Sequence, residues 1–267
     1  MTGTPIQTET PTQKVALITG SSRGLGRTLA EFLAVQGYSL ILTARHADAL
    51  QETAEVLKRY GHPVYALAGD VTDAVHRSTL ARVVEDQGGL DLLVNNASDL
   101  GASPLPELAH YPLEALRQVF ETNVIAPLAL VQATLGSLRA RNGLVVNLSS
   151  DAALGAYPTW GGYGSSKAAL DLLTRTLAAE LRDKGSGVGV VAVDPGDLRT
   201  QMHQDAFPSE DITDRPLPEV TLPFWAWLLG QDALAVSGAR FGAQAERWEL
   251  PRQEESDDVH EHAVASA

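Results

Sequence analysis

Along nearly its whole length the chain alternates short, uninterrupted apolar runs with longer stretches in which apolar residues recur every three or four positions. The short runs predict strands over residues 15–19, 39–44, 64–68, 90–94, 144–148 and 188–193, with a weaker seventh near 239–241. The longer stretches predict helices over residues 27–35, 47–60, 74–87, 113–138 and 163–184. Strand and helix in regular turn point to an α/β fold, a parallel sheet of about seven strands covered by helices on both faces. No internal repeat or linker divides this pattern, so residues 14–250 are expected to form one domain. Residues 1–13, rich in Thr and Pro, and 251–267, with Glu254, Glu255, Asp257, Asp258 and Glu261, are expected to be solvated tails. His260 and His262 flank Glu261, and an exposed tail explains them better than a metal site does.

Two places along the pattern carry chemistry. The first strand, Val15-Ala-Leu-Ile-Thr, runs into a loop with Gly20, Gly24 and Gly26, and the amphipathic stretch with Leu29, Phe32, Leu33 and Val35 leaves it. Strand, glycine turn and helix form the setting in which a loop cradles a dinucleotide. The glycines permit tight backbone angles and close approach of a pyrophosphate, which the helix N-terminus attracts with its N–H groups and dipole. Elsewhere, Tyr163 and Lys167 lie four apart on a predicted helix and therefore on one face, with Ser150 thirteen residues before the tyrosine. A cation beside a phenol lowers its pKa from about 10 towards the range useful for acid/base work. Tyr157 has no lysine four residues later, and Ser149 stands beside Ser150 as its competitor.

Taken together these features resemble the short-chain dehydrogenase/reductase family. Thr19-Gly20-x-x-x-Gly24-x-Gly26 has that family's glycine spacing. The resemblance continues through Asp70-Val71, Asn95-Asn96-Ala97, Asn123, Ser150, Tyr163, Lys167 and Pro195-Gly196 to Thr200, and spans residues 14–242. It implies a Rossmann-type doubly wound sheet and an enzyme that transfers hydride between a nicotinamide cofactor and an alcohol or carbonyl. Tyr163 is then the general acid/base, Ser150 orients the carbonyl, Lys167 lowers the tyrosine pKa and binds the nicotinamide ribose, and Asn123, in a helix expected to kink near it, holds a water that links Lys167 to solvent. The cofactor set is Gly20, Ser22, Arg23, Gly24, Leu25, Gly26, Arg45, Asp70, Val71, Asn95, Ala97, Tyr163, Lys167, Pro195, Gly196 and Thr200, with Val193 as a main-chain contact. Ser98 departs from the family, which usually has glycine there.

The end of the second strand bears on cofactor choice. NAD enzymes of this architecture place an acidic residue there, whereas an arginine accommodates the 2′-phosphate of NADP. Here the position holds Ala44, followed by Arg45, and Arg23 adds a second cation, so NADP(H) is expected over NAD(H). The formal charge of −13 argues against nucleic acid as a partner. The absence of cysteine excludes disulfides, thiolate catalysis and cysteine metal sites, and no metal is expected. With no signal-peptide order and no apolar run judged long enough to span a membrane, a cytoplasmic protein is expected.

The substrate side is less defined. The segment from Asp197 to Glu219, with Met202, His203 and Phe207, falls where the family has a variable lid. Ser98, Leu100, Asp151, Leu154, Tyr157 and Trp160 are candidates for the opposite wall, and the mixture suggests a medium-sized, partly apolar alcohol or ketone. A homodimer or homotetramer is expected through helices 113–138 and 163–184, the second with a stripe of Ala169, Leu172, Leu173, Thr176 and Leu177. A non-catalytic NADP(H)-binding sensor and an epimerase or dehydratase remain as rivals; the serine argues against the first and the glycine spacing against the second.

Overall fold

The structure is a computed structural model that describes residues 13–251. The expected tails, His260 and His262 therefore lie outside the described residues, apart from Gln13 and Pro251. Seven strands form one parallel sheet: β1 (Val15–Thr19), β2 (Ser39–Ala44), β3 (Val64–Ala68), β4 (Leu92–Asn95), β5 (Leu144–Leu148), β6 (Gly189–Asp194) and β7 (Arg240–Gly242). Their order is β3-β2-β1-β4-β5-β6-β7, and the reversal between β1 and β4 opens a crevice at the C-terminal ends of the strands.

Successive residues of β1 serve opposite faces of the sheet, as the period of two requires. Ala16 and Ile18 join a core with α1 (Gly24–Val35), α2 (Ala47–Leu57) and α8 (Leu222–Leu228). Val15 and Leu17 join a second core with α3 (Ala74–Asp86), α5 (Ala126–Arg141) and α6 (Gly161–Asp183). Helix α1 buries Leu25, Leu29 and Leu33 at intervals of four and ends where Tyr38 N–H reaches back to the Leu33 carbonyl past Gly37, at φ +86°.

The predicted helix over 113–138 is divided. Helix α4 (Leu113–Phe120) leads into a π-helical turn, Glu121–Ile125, before α5 begins. Pro127 supplies the reason: it has no N–H to donate to the carbonyl of Asn123 four residues earlier, so the helix widens there. Taken continuously, Leu113–Arg141 is long and apolar enough to cross a membrane by length and composition, with a mean hydropathy of 1.3 over an 18-residue window, which corrects the expectation of no such run. Half of that window is buried inside the protein, where α5 packs on α3, β4 and β5. The short helices α7 (Gln201–Ala206) and α9 (Ala233–Val236), and α8 itself, were not predicted.

Candidate active site

One cleft of about 440 Å³ runs along the C-terminal ends of the strands. Its floor is the loop between β1 and α1, where Gly20 and Gly24 take φ of +65° and +53°. Helix α1 starts with no side-chain cap and no acidic residue in its first turn, leaving its N–H groups and positive dipole end for an anion. Gly26 is not in the cleft wall. It allows α1 to pack onto the loop, because a Cβ there would lie 2.4 Å from the Gly20 carbonyl oxygen.

Of the remaining cofactor candidates, Ser22, Arg23, Leu25, Arg45, Asp70, Val71, Ala97, Pro195, Gly196 and Thr200 line the cleft, whereas Asn95 and Val193 do not. Asn95 donates instead to Asn147 Oδ1 at 2.8 Å, inside the sheet. Its neighbour Asn96, which sequence reasoning passed over, reaches the loop by donating to the carbonyls of Thr19 at 2.8 Å and Gly20 at 3.1 Å. Alternation along β4 is the signal that separates the two asparagines. Burial tends to raise the Asp70 carboxyl pKa, but two hydrogen bonds from Thr72 and the charge of Arg45 bring it below its ordinary value. Arg23 and Arg45 stand in the same wall, with Ala44 at the end of β2.

Deeper in the cleft are Ser150, Tyr163 and Lys167. Helix α6 buries Tyr163, Ser166, Lys167, Leu170, Asp171 and Thr174, the three- and four-residue spacing of one face. Gly164 lets this face approach the turn that follows Ser150, since a Cβ there would meet the Ala152 carbonyl at 2.5 Å. Lys167 Nζ lies 5.4 Å from the Tyr163 ring centre and donates to the Leu148 carbonyl at 2.7 Å. Burial lowers its pKa from 10.5 to about 8, against the pull of Asp171 and Asp194.

The tyrosine is not lowered as expected. Burial pushes Tyr163 from 10.0 up to about 12, with Asp194 and Asp151 adding to the rise, while the Ser98 and Ser150 hydroxyls beside the phenol oppose it. Removal from water disfavours the phenolate more than the neighbouring serines favour it. Ser150 Oγ also donates to Asp151 Oδ1 at 3.0 Å and accepts from Ala152 N–H at 3.2 Å.

Asn123 sits behind this group, fully buried. Its Oδ1 accepts from Ser98 Oγ at 3.1 Å and Asp99 N–H at 2.7 Å. Its Nδ2 donates to the Asp99 carbonyl at 2.8 Å and Ser166 Oγ at 3.0 Å. All four hydrogen-bonding positions of the amide are used, so its side chain braces the site and is not free to hold water.

On the substrate side, Ser98, Leu100, Asp151, Trp160, Met202 and His203 line the cleft. Trp160, Phe207 and His203 form an aromatic row, with ring centres 5.7 and 5.0 Å apart. Leu154 and Tyr157 lie outside it and are exposed. No group of three or more His, Cys, Asp or Glu side chains is placed to hold a metal among the described residues.

Comparison with known proteins identifies the family and the fold. Residues 14–211 match the short chain dehydrogenase family. A diacetyl reductase, (S)-acetoin forming, of Staphylococcus epidermidis is 33% identical over 192 residues, which cover 71% of this chain and 73% of the relative. A short chain dehydrogenase structure from Pseudomonas syringae superposes with a TM-score of 0.81 at 33% identity, covering 86% and 94% of the two chains. Another from Shigella flexneri, solved in complex with NADP, gives 0.80 at 30% identity over 87% and 97%.

Proposed function

The chain belongs to the short chain dehydrogenase family, and on that footing we propose that it interconverts a ketone or aldehyde and its alcohol with NADP(H). The broader reading, an oxidoreductase that uses a nicotinamide nucleotide, follows from the family. The observation that carries the finer one is the convergence of Ser150, Tyr163 and Lys167 on the cleft opened by the glycine loop. A bound nicotinamide supplies or accepts the hydride.

The protein orients the substrate and moves the proton. Ser150 hydrogen-bonds the substrate oxygen, and Tyr163 donates a proton to it in reduction or accepts one in oxidation. A phenol with a pKa of about 12 stays protonated across the neutral range, which suits donation to a carbonyl. Lys167, held by the Leu148 carbonyl, places a cation beneath the phenol and binds the ribose. Asn123 contributes to a proton relay through its main-chain carbonyl, which Pro127 deprives of an α-helical donor.

The uncapped N-terminus of α1 suits a pyrophosphate, and Arg23 and Arg45 suit a 2′-phosphate. Leu100, Trp160 and Met202 favour a medium-sized, partly apolar substrate body. Self-association through the 113–138 segment and α6 is supported by Ile125 and Leu172, 47% and 57% exposed in the single chain, and light scattering tests it. A panel of ketones and alcohols followed by nicotinamide absorbance tests the function. Turnover with a partly apolar member, faster with NADPH than NADH, is expected. Tight NADPH binding with no turnover across the panel favours a sensor.

A further inference from the structure

Behind the cleft, Arg240 from β7 reaches three separate elements. Its Nε donates to Asp171 Oδ2 on α6 at 3.0 Å. One terminal nitrogen donates to the Ser150 carbonyl at 2.8 Å and to Asp194 Oδ2, at the end of β6, at 3.2 Å. The side chains of Arg240, Asp171 and Asp194 are only 25%, 11% and 14% exposed, so these are not surface pairs screened by water. Each partner is one step from a group in the proposed reaction. Ser150 provides the orienting hydroxyl, Asp171 lies one helical turn past Lys167, and Asp194 Oδ1 accepts from the Gly196 N–H at 3.0 Å.

We propose that Arg240 is a positioning residue, whose planar fork fixes the Ser150 backbone, α6 and the Pro195-Gly196 turn in one register and holds two carboxylates away from Lys167 and Tyr163. This rests on the proposed oxidoreductase reading. The guanidinium suits the task because it presents several donors in a rigid plane and keeps its charge when partly buried.

The surrounding charges give the proposal a sign. Lys167 and Tyr163 are faced by Asp171 on α6, Asp194 on β6 and Asp151 in the turn after β5, and Arg240 on β7 pairs with the first two of these carboxylates. Asp197, Arg199 and His203 line the cleft farther out, and Asp99 lies behind Asn123. Arg240, Lys167, Asp171 and Asp194 together carry no net charge. Without Arg240 the two carboxylates have Lys167 as their remaining near cation. Its ammonium is then favoured, and the phenolate of Tyr163 is opposed more strongly.

Lysine labelled with carbon-13 at Cε provides a readout that needs no catalysis, because the chain has four lysines and Lys167→Met identifies the signal. The Lys167 midpoint, about 8 in the unmodified protein, is expected to rise by about one pH unit in Arg240→Gln. A folded glutamine variant with an unchanged midpoint overturns the electrostatic part. Arg240→Lys keeps the charge and loses the fork; its midpoint should stay in place while kcat falls about tenfold with KM little altered. Turnover equal to that of the unmodified protein overturns the positioning part, and the lysine variant decides if the glutamine variant does not fold. A protein that reduces no carbonyl refutes the oxidoreductase reading, yet the Lys167 titration still judges Arg240.

Discussion

The two helices that border the cleft bury opposite kinds of residue. Helix α1 buries Leu25, Gly26, Leu29, Ala30, Leu33 and Ala34, with no charge among them. Helix α6 buries Ser166, Lys167, Asp171 and Thr174 beside its apolar residues. The contrast follows from what each end of the cleft must do. Anion binding at α1 uses main-chain N–H groups and the dipole, so its side chains are left to pack. Proton transfer at α6 needs polar side chains out of water, where hydrogen bonds and ion pairs offset the cost of burial. The first end should therefore be sensitive to added volume and the second to changed charge.

Lys167→Met should show the largest effect of charge. It removes the cation beneath the phenol and the proposed ribose contact, so kcat/KM is expected to fall roughly a thousandfold. Steady-state kinetics with a responsive ketone measures this, and a loss below tenfold would break the contrast. On the α1 side, Gly26→Ala pushes a methyl into the Gly20 carbonyl. About 2 kcal/mol of stability should be lost, read from the denaturant midpoint.

Smaller effects sharpen the comparison. Arg45→Asp should weaken NADPH about tenfold and spare or improve NADH, because a carboxylate repels a 2′-phosphate and accepts from ribose hydroxyls. Fluorescence titration with both nucleotides checks it, and tighter NADH binding by the unmodified protein would contradict the NADP(H) reading. Ser98→Gly should act least, roughly threefold on turnover. The Ser98 hydroxyl lowers the Tyr163 pKa, so its loss raises that value further. Alcohol oxidation, which needs the phenolate, should then require a higher pH, whereas carbonyl reduction near neutrality should change little.

The strands and main helices were legible because their periods of two and 3.6 are imposed by burial on one or both faces. Ser150, Tyr163, Lys167 and the glycine loop were legible because local spacing determines which atoms face the cleft. What escaped depends on distant partners or single-residue register. The exchange of Asn95 for Asn96 at the cleft wall is a matter of strand alternation. The break near Asn123 was legible as a kink, whereas its π form, which goes with Pro127 four residues on, was not. Arg240 meets Asp171 across 69 residues of sequence, a pairing that no local pattern announces. The direction of the Tyr163 shift also escaped, since Lys167 suggested a lowered value and burial, invisible in the spacing, raised it.

The central claim is that Tyr163 moves the proton in a nicotinamide-dependent reaction of this cleft. Tyr163→Phe removes one hydroxyl and leaves the ring between Lys167 and Trp160. Turnover with a responsive ketone and NADPH affinity, measured on the same preparation, test the claim together. The expected result is turnover lowered by at least about a hundredfold with NADPH affinity little changed. Near-normal turnover in this variant would contradict it.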